Sequence, residues 1–112
     1  MNAVVPIREG EDARNDRAHL VNYEAEQALL AALLADNRAY DHVAGFLRGA
    51  HFADAVHGRI FDAAAALIDR GEIANAITLK NAFERDNALQ DVGGDQYLRD
   101  LQNVGVASVN AQ

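Results

Sequence analysis

The chain has 112 residues, and its 17 Asp and Glu against 10 Lys and Arg leave a net charge of −7. That length suits one domain with its own buried core, and the absence of cysteine removes disulfides, a thiol nucleophile and cysteine-based zinc sites. The acidic excess lies from Tyr23 onward, where 7 Lys and Arg face 13 Asp and Glu; such a surface repels phosphate backbones and argues against direct DNA binding, leaving proteins as the expected partners.

Residues 1–20 mix Arg8, Glu9, Glu11, Asp12, Arg14, Asp16 and Arg17 with no apolar period, which reads as a disordered tail outside the domain at 21–112. No stretch has the length of a membrane span or the h-region of a signal peptide, so the reading is a soluble cytoplasmic protein without a membrane partner. Beyond Pro6 there is no proline, threonine occurs once, and alanine supplies 23 residues. The expected class is therefore all-α, an orthogonal bundle of about five to six short helices.

The first helix is expected from Asn22, as N-cap, to Asp36-Asn37. Glu24 and Glu26 sit in its first turn, where the positive end of the helix dipole favours them, and Ala25, Leu29, Leu30, Leu33 and Leu34 form its apolar stripe. A second helix is expected from Arg38 to Leu47, capped by Asp36 or Asn37 and stopped by Gly49, with Tyr40, Val43, Phe46 and Leu47 on one face. Asp54 should cap the longest helix, Ala55 to Arg70, carrying Val56, Ile60, Phe61, Ala64, Leu67 and Ile68, with Gly71 in the left-handed position after it. Thr78 is the expected cap of a short helix ending near Asp86-Asn87. Gly93-Gly94 then makes a turn into a helix that opens at Asp95 and bears Tyr97, Leu98, Leu101 and Val104. At Ser108 a further helix is expected to begin.

The chemistry-bearing residue types form no catalytic pattern. Gly93-Gly94 lacks the lysine and hydroxyl residue of a phosphate-binding loop and reads as a glycine turn, an anion site at the helix start being the second reading. His19, His42, His51 and His57 lack zinc-ligand spacing, and His57 is expected to pack near Phe61 and bond to Asp54. Glu24 and Glu26 point to different helix faces, so a dipole role accounts for them without acid–base catalysis. Lys80–Glu84 and Arg59–Asp62 have the spacing of weak surface pairs. No catalytic, cofactor-binding or metal-binding residue is assigned.

The residue order nevertheless resembles a known family. Glu24-Ala25-Glu26-Gln27-Ala28 with Leu33-Leu34-Ala35-Asp36-Asn37, then Phe52 and His57-Gly58-Arg59-Ile60-Phe61, then Ile77-Thr78-Leu79, then Val92-Gly93-Gly94-Asp95-Gln96-Tyr97-Leu98 with Leu101, is similar to the N-terminal domain of the DnaB-type replicative DNA helicases. The resemblance implies a non-catalytic helical domain ahead of a RecA-like motor. Its roles would be subunit pairing into dimers and a hexamer collar, and docking of the primase C-terminal domain. ATP and Mg would belong to the motor alone, and Ala107 to Gln112 would open the hairpin leading to it. The pairing surface implied on this chain is Asp95, Tyr97, Leu98 and Leu101, with Asp95 standing where the family commonly has an apolar residue. The alternative is a stand-alone helical adaptor that shares the fold without a motor.

Overall fold

With alanine abundant and no proline beyond Pro6 to remove a backbone donor, local preference and tertiary structure agree on class. The computed structural model describes residues 22–83 and 87–110, and among them every regular element is helical. In chain order these are α1 (22–35), a 3-10 helix Asn37–His42, a 3-10 turn Gly49–His51, α2 (Ala55–Asp69), α3 (Ala76–Ala82), α4 (Asn87–Asp91) and α5 (Asp95–Asn110). The tail expected at 1–20 lies outside the described residues.

Several element boundaries differ from expectation for local reasons. Asn22 is already helical, so it is not the cap of α1. The segment after α1 is not α-helical: Asp36 accepts from Arg38 N, and the 3-10 helix closes with Val43 N donating to Tyr40 O. Asn37 is diverted to another task. Its Nδ2 donates to Leu33 O and Ala74 O at 2.9 and 2.8 Å, and its Oδ1 accepts from Ala74 N at 2.9 Å, tying the end of α1 to the strap before α3. Phe46, expected inward, is 65% exposed, because the turn over 43–46 abandons the helical period. Gly49 does not merely stop a helix; it opens the 3-10 turn, where its N–H donates to Asp62 Oδ1 at 2.7 Å.

Asp54 caps α2 by accepting from His57 N, and Gly71 takes φ +81 just past its end. The cap of α3, Asn75, lies three residues before the expected one. Asn75 accepts from Thr78 N and Thr78 Oγ1 accepts from Asn75 N, both at 2.9 Å, so Thr78 is the inner half of a capping box. The helix ends at Ala82 rather than near Asp86-Asn87, and α4 is an additional short helix that the apolar period did not reveal. Gly93 and Gly94, at φ +124 and +61, turn the chain into α5. That helix is the longest, at 16 residues against 15 for α2, and it passes through Ser108 unbroken. With no proline nearby and alanine beside it, Ser108 is tolerated inside a helix.

The core collects Leu30, Leu33 and Leu34 of α1, Ile60, Phe61 and Ala64 of α2, Leu79, Phe83 and Leu89, and Leu98 and Leu101 of α5. Of the expected α1 stripe, Leu30, Leu33 and Leu34 are core, while Ala25 is exposed and Leu29 only half-buried outside the cluster; Ile77 and Val104 point outward at 78% and 61% exposure. Gly105 lets α5 approach α1 backbone to side: a Cβ there would run into the Ala31 carbonyl. This close crossing holds the first turn of α5 over the N-terminal ends of α1 and α2.

Candidate functional site

Three helices meet at a polar centre. α1 presents Tyr23, Glu26 and Gln27, related by i, i+3 and i+4 and hence on one side of that helix; the first turn of α2 presents His57, and the first turn of α5 presents Tyr97. His57 is 1% exposed, and its ring is used on both sides. Nδ1 lies 2.9 Å from Glu26 Oε1 and Nε2 lies 2.6 Å from the Tyr97 hydroxyl. Gln27 Nε2 donates to that hydroxyl at 3.1 Å, and the Tyr23 hydroxyl is 3.4 Å from it. The Tyr23 and His57 rings pack at 4.6 Å between centroids.

Glu26 also serves the backbone. Its Oε2 accepts from Ala53 N at 2.6 Å and its Oε1 from Asp54 N at 3.3 Å, so its negative charge lies beside the amide-rich start of α2. The dipole that Glu26 serves is thus that of α2, not of its own helix. With a carboxylate at Nδ1 and a neutral ring, the imidazole proton sits on Nδ1 and Nε2 accepts from the Tyr97 hydroxyl, whose oxygen accepts from Gln27. Among the described residues no buried side-chain nitrogen or oxygen lacks a partner.

A carboxylate, an imidazole and a hydroxyl in line have the connectivity of an activated nucleophile. The hydroxyl here is the wrong one for that chemistry. Burial pushes the Tyr97 phenol well above its ordinary value, and the Tyr23 hydroxyl adds to the effect, so it is held protonated as a hydrogen-bonding group. The chain of bonds is suited to orienting helices.

Of the four expected pairing residues, the structure brings together Asp95, Tyr97, Leu98 and Leu101 on one helix but turns them in different directions. Leu98 and Leu101 are buried at 0% and 5% exposure, and Tyr97 commits its hydroxyl to His57. Asp95 faces outward, bonded to Arg99 Nη1 at 2.7 Å and 4.0 Å from Lys80 Nζ; the Arg99 guanidinium holds its carboxyl below the usual range. Glu84, the expected partner of Lys80, lies outside the described residues. Asp62 spends its Oδ1 on Gly49 N.

The sequence pattern alone places His57 with Asp54 and Phe61 and Glu26 with its own helix. Only the backbone of His57 bonds to Asp54; the ring goes to Glu26 and Tyr97, which are 31 and 40 residues away. One signal was present: Glu26-Gln27, His57 and Tyr97 each come from a different block of the resemblance, and the fold assembles those blocks into one centre.

The family model for the DnaB-like helicase N terminal domain matches residues 18–112. The chain belongs to that family. The chain is 36% identical over 89 residues to the replicative DNA helicase DnaB of Rickettsia typhi, covering 80% of the chain and 18% of that protein. It is 33% identical over 101 residues to the replicative DNA helicase DnaC of Bacillus subtilis, covering 90% of the chain and 22% of the relative, and 33% identical over 91 residues to DnaB of Treponema pallidum. The chain thus spans about a fifth of the length of these relatives. No solved structure matches it. Among the described residues no helix is long and apolar enough to cross a membrane.

Proposed function

We propose that this chain is a non-catalytic assembly and docking domain of a replicative helicase acting in DNA replication, one that supports subunit pairing, a hexamer collar and docking of the primase C-terminal domain. The match to the helicase N-terminal domain over residues 18–112 carries this reading. The polar centre supports it, because its one hydroxyl–imidazole–carboxylate series is spent on fixing α1, α2 and α5 relative to one another. A rigid domain of this kind acts mechanically: it places an attached motor through its contacts and couples a binding event at one face to geometry at another. ATP and Mg are assigned to a motor domain and not to these residues.

In the pairing proposal, Asp95 supplies the exposed contact of α5, and Tyr97, Leu98 and Leu101 set where that helix stands. Light scattering across a concentration series, with titration of the cognate primase C-terminal domain, tests both roles; a strict monomer that binds no primase would sink them. The gene beyond the codon for Gln112 separates this reading from a stand-alone adaptor, since a RecA-like domain with a phosphate-binding loop belongs only to the first.

A further inference from the structure

The polar centre fixes three helices, yet its donors and acceptors admit a second arrangement. With the ring neutral, Tyr97 spends its one hydroxyl proton on His57 Nε2 at 2.6 Å, while the Tyr23 hydroxyl stands 3.4 Å away as the longest link of the set. A proton added to the ring has one place to go, because Nδ1 already carries one toward Glu26. Nε2–H then points at the Tyr97 oxygen, and that hydroxyl must turn its own proton elsewhere. Gln27 Nε2 cannot receive it, since an amide nitrogen only donates, whereas the Tyr23 oxygen can.

The surroundings suit a charged ring. Glu26 holds a carboxylate oxygen 2.9 Å from Nδ1 on a side chain only 13% exposed, and Asp54 brings a second carboxylate to the same first turn of α2. The Tyr23 ring packs against the imidazole with centroids 4.6 Å apart, within the range at which an aromatic face attracts a cation. Burial keeps the Tyr97 phenol protonated, so it takes part as a hydroxyl in both arrangements. Among the described residues, the titratable groups set against the ring are thus Tyr23 and Glu26 of α1, Asp54 at the head of α2 and Tyr97 of α5.

We propose that this centre is a proton-operated latch between α1 and α5, in which protonation of His57 reverses the Tyr97 hydroxyl and closes a bond from Tyr97 to Tyr23. One proton passes from water to Nε2, the Tyr97 proton is redirected from His57 to Tyr23, and the Tyr23 proton turns outward. Tyr23 lies in the first turn of α1 and Tyr97 in the first turn of α5, so the closed latch adds a direct tie between two helix starts that the neutral centre joins through Gln27 and His57. The inference concerns the centre alone and is independent of subunit pairing.

An NMR titration of the full 15N- and 13C-labelled chain from about pH 8 to about pH 5, the span in which histidine changes charge, tests it. At the upper end the long-range 1H–15N spectrum of the His57 ring should show the Nδ1–H tautomer. On acidification Nε2 should gain its proton while the amide spectrum stays that of the folded chain, and the Tyr23 and Tyr97 ring carbons should move with the same midpoint. Tyr23→Phe keeps the ring against the imidazole and removes only the acceptor of the reversed bond. It should leave the tautomer at the upper end unchanged and lower the His57 midpoint by about one pH unit, a tenfold weaker hold on the proton, because the reversed Tyr97 hydroxyl then lacks an acceptor. Exposed His42 is the internal reference and should keep its midpoint. An Nε2–H tautomer, a ring that stays neutral until the amide spectrum collapses, tyrosine carbons that do not follow the ring, or an equal His57 midpoint in Tyr23→Phe would overturn the inference.

Discussion

His57 is the residue at which the most distant parts of the chain meet. Because its ring is enclosed, each lost partner strands a polar atom without water to replace it. Tyr97→Phe keeps the ring and removes only the hydroxyl, leaving His57 Nε2 and Gln27 Nε2 unpaired; the expected cost is about 1–3 kcal/mol in urea unfolding. Glu26→Ala strips acceptors from His57, Ala53 and Asp54 together and is expected to cost more. An unchanged midpoint for both would refute a stabilising role. Asp36 tests electrostatics separately. Its bond to Arg38 lowers its carboxyl from 3.8 to about 2, so the stability it lends is present above pH 3.8 and lost as pH falls through about 2. Asp36→Asn retains the cap and removes the charge; its thermal midpoint should converge with that of the parent across this window, and a constant gap would contradict the assignment.

At the scale of elements, caps and close crossings decide more than the apolar period. The expected start of α3 at Thr78 followed from a hydroxyl before an apolar run, but an equally good cap lies three residues earlier, and the box needs both. Asn75→Ala should therefore cost about 1 kcal/mol and exceed Thr78→Ala, because Asn75 satisfies the orphan amide; chemical denaturation of the two variants gives the order, and the reverse order would restore the later start. Gly105 serves a different purpose. The space a Cβ would need is taken by the Ala31 carbonyl, so Gly105→Ala must push α5 away from α1 despite alanine's better helix propensity, at about 1–3 kcal/mol. A more stable Gly105→Ala variant would show that the helices do not cross there.

For the molecule as a whole, the outward position of Asp95 makes pairing adjustable without disturbing the core. Asp95→Leu removes a charge bonded to Arg99 and places an apolar side chain at the start of α5. Stronger self-association by light scattering with unchanged helicity is the expected outcome, and an unaltered mass would move the pairing proposal away from this end of the helix. Leu98 and Leu101 are unsuited to the same test, since charging a buried leucine unfolds the domain whatever its partners do.

The helical class, the cap at Asp54, the glycine turn at Gly71 and at Gly93-Gly94, and the family itself were legible in the residues, because each depends on neighbours within a few positions or on the order of blocks along the chain. The Glu26–His57–Tyr97 centre was not. Its members are chosen by how three helices rotate and cross, and that is set by non-local packing around Leu30, Ile60 and Leu98 and by the room Gly105 leaves. The same packing turned Asn37 from a helix cap into a bridge to Ala74 and carried Leu98 and Leu101 inward. The sequence by itself determined which segments coil and which family they belong to; only the tertiary structure decided which polar groups are buried together, because that choice is made by satisfying distant donors and acceptors at once in a space without water.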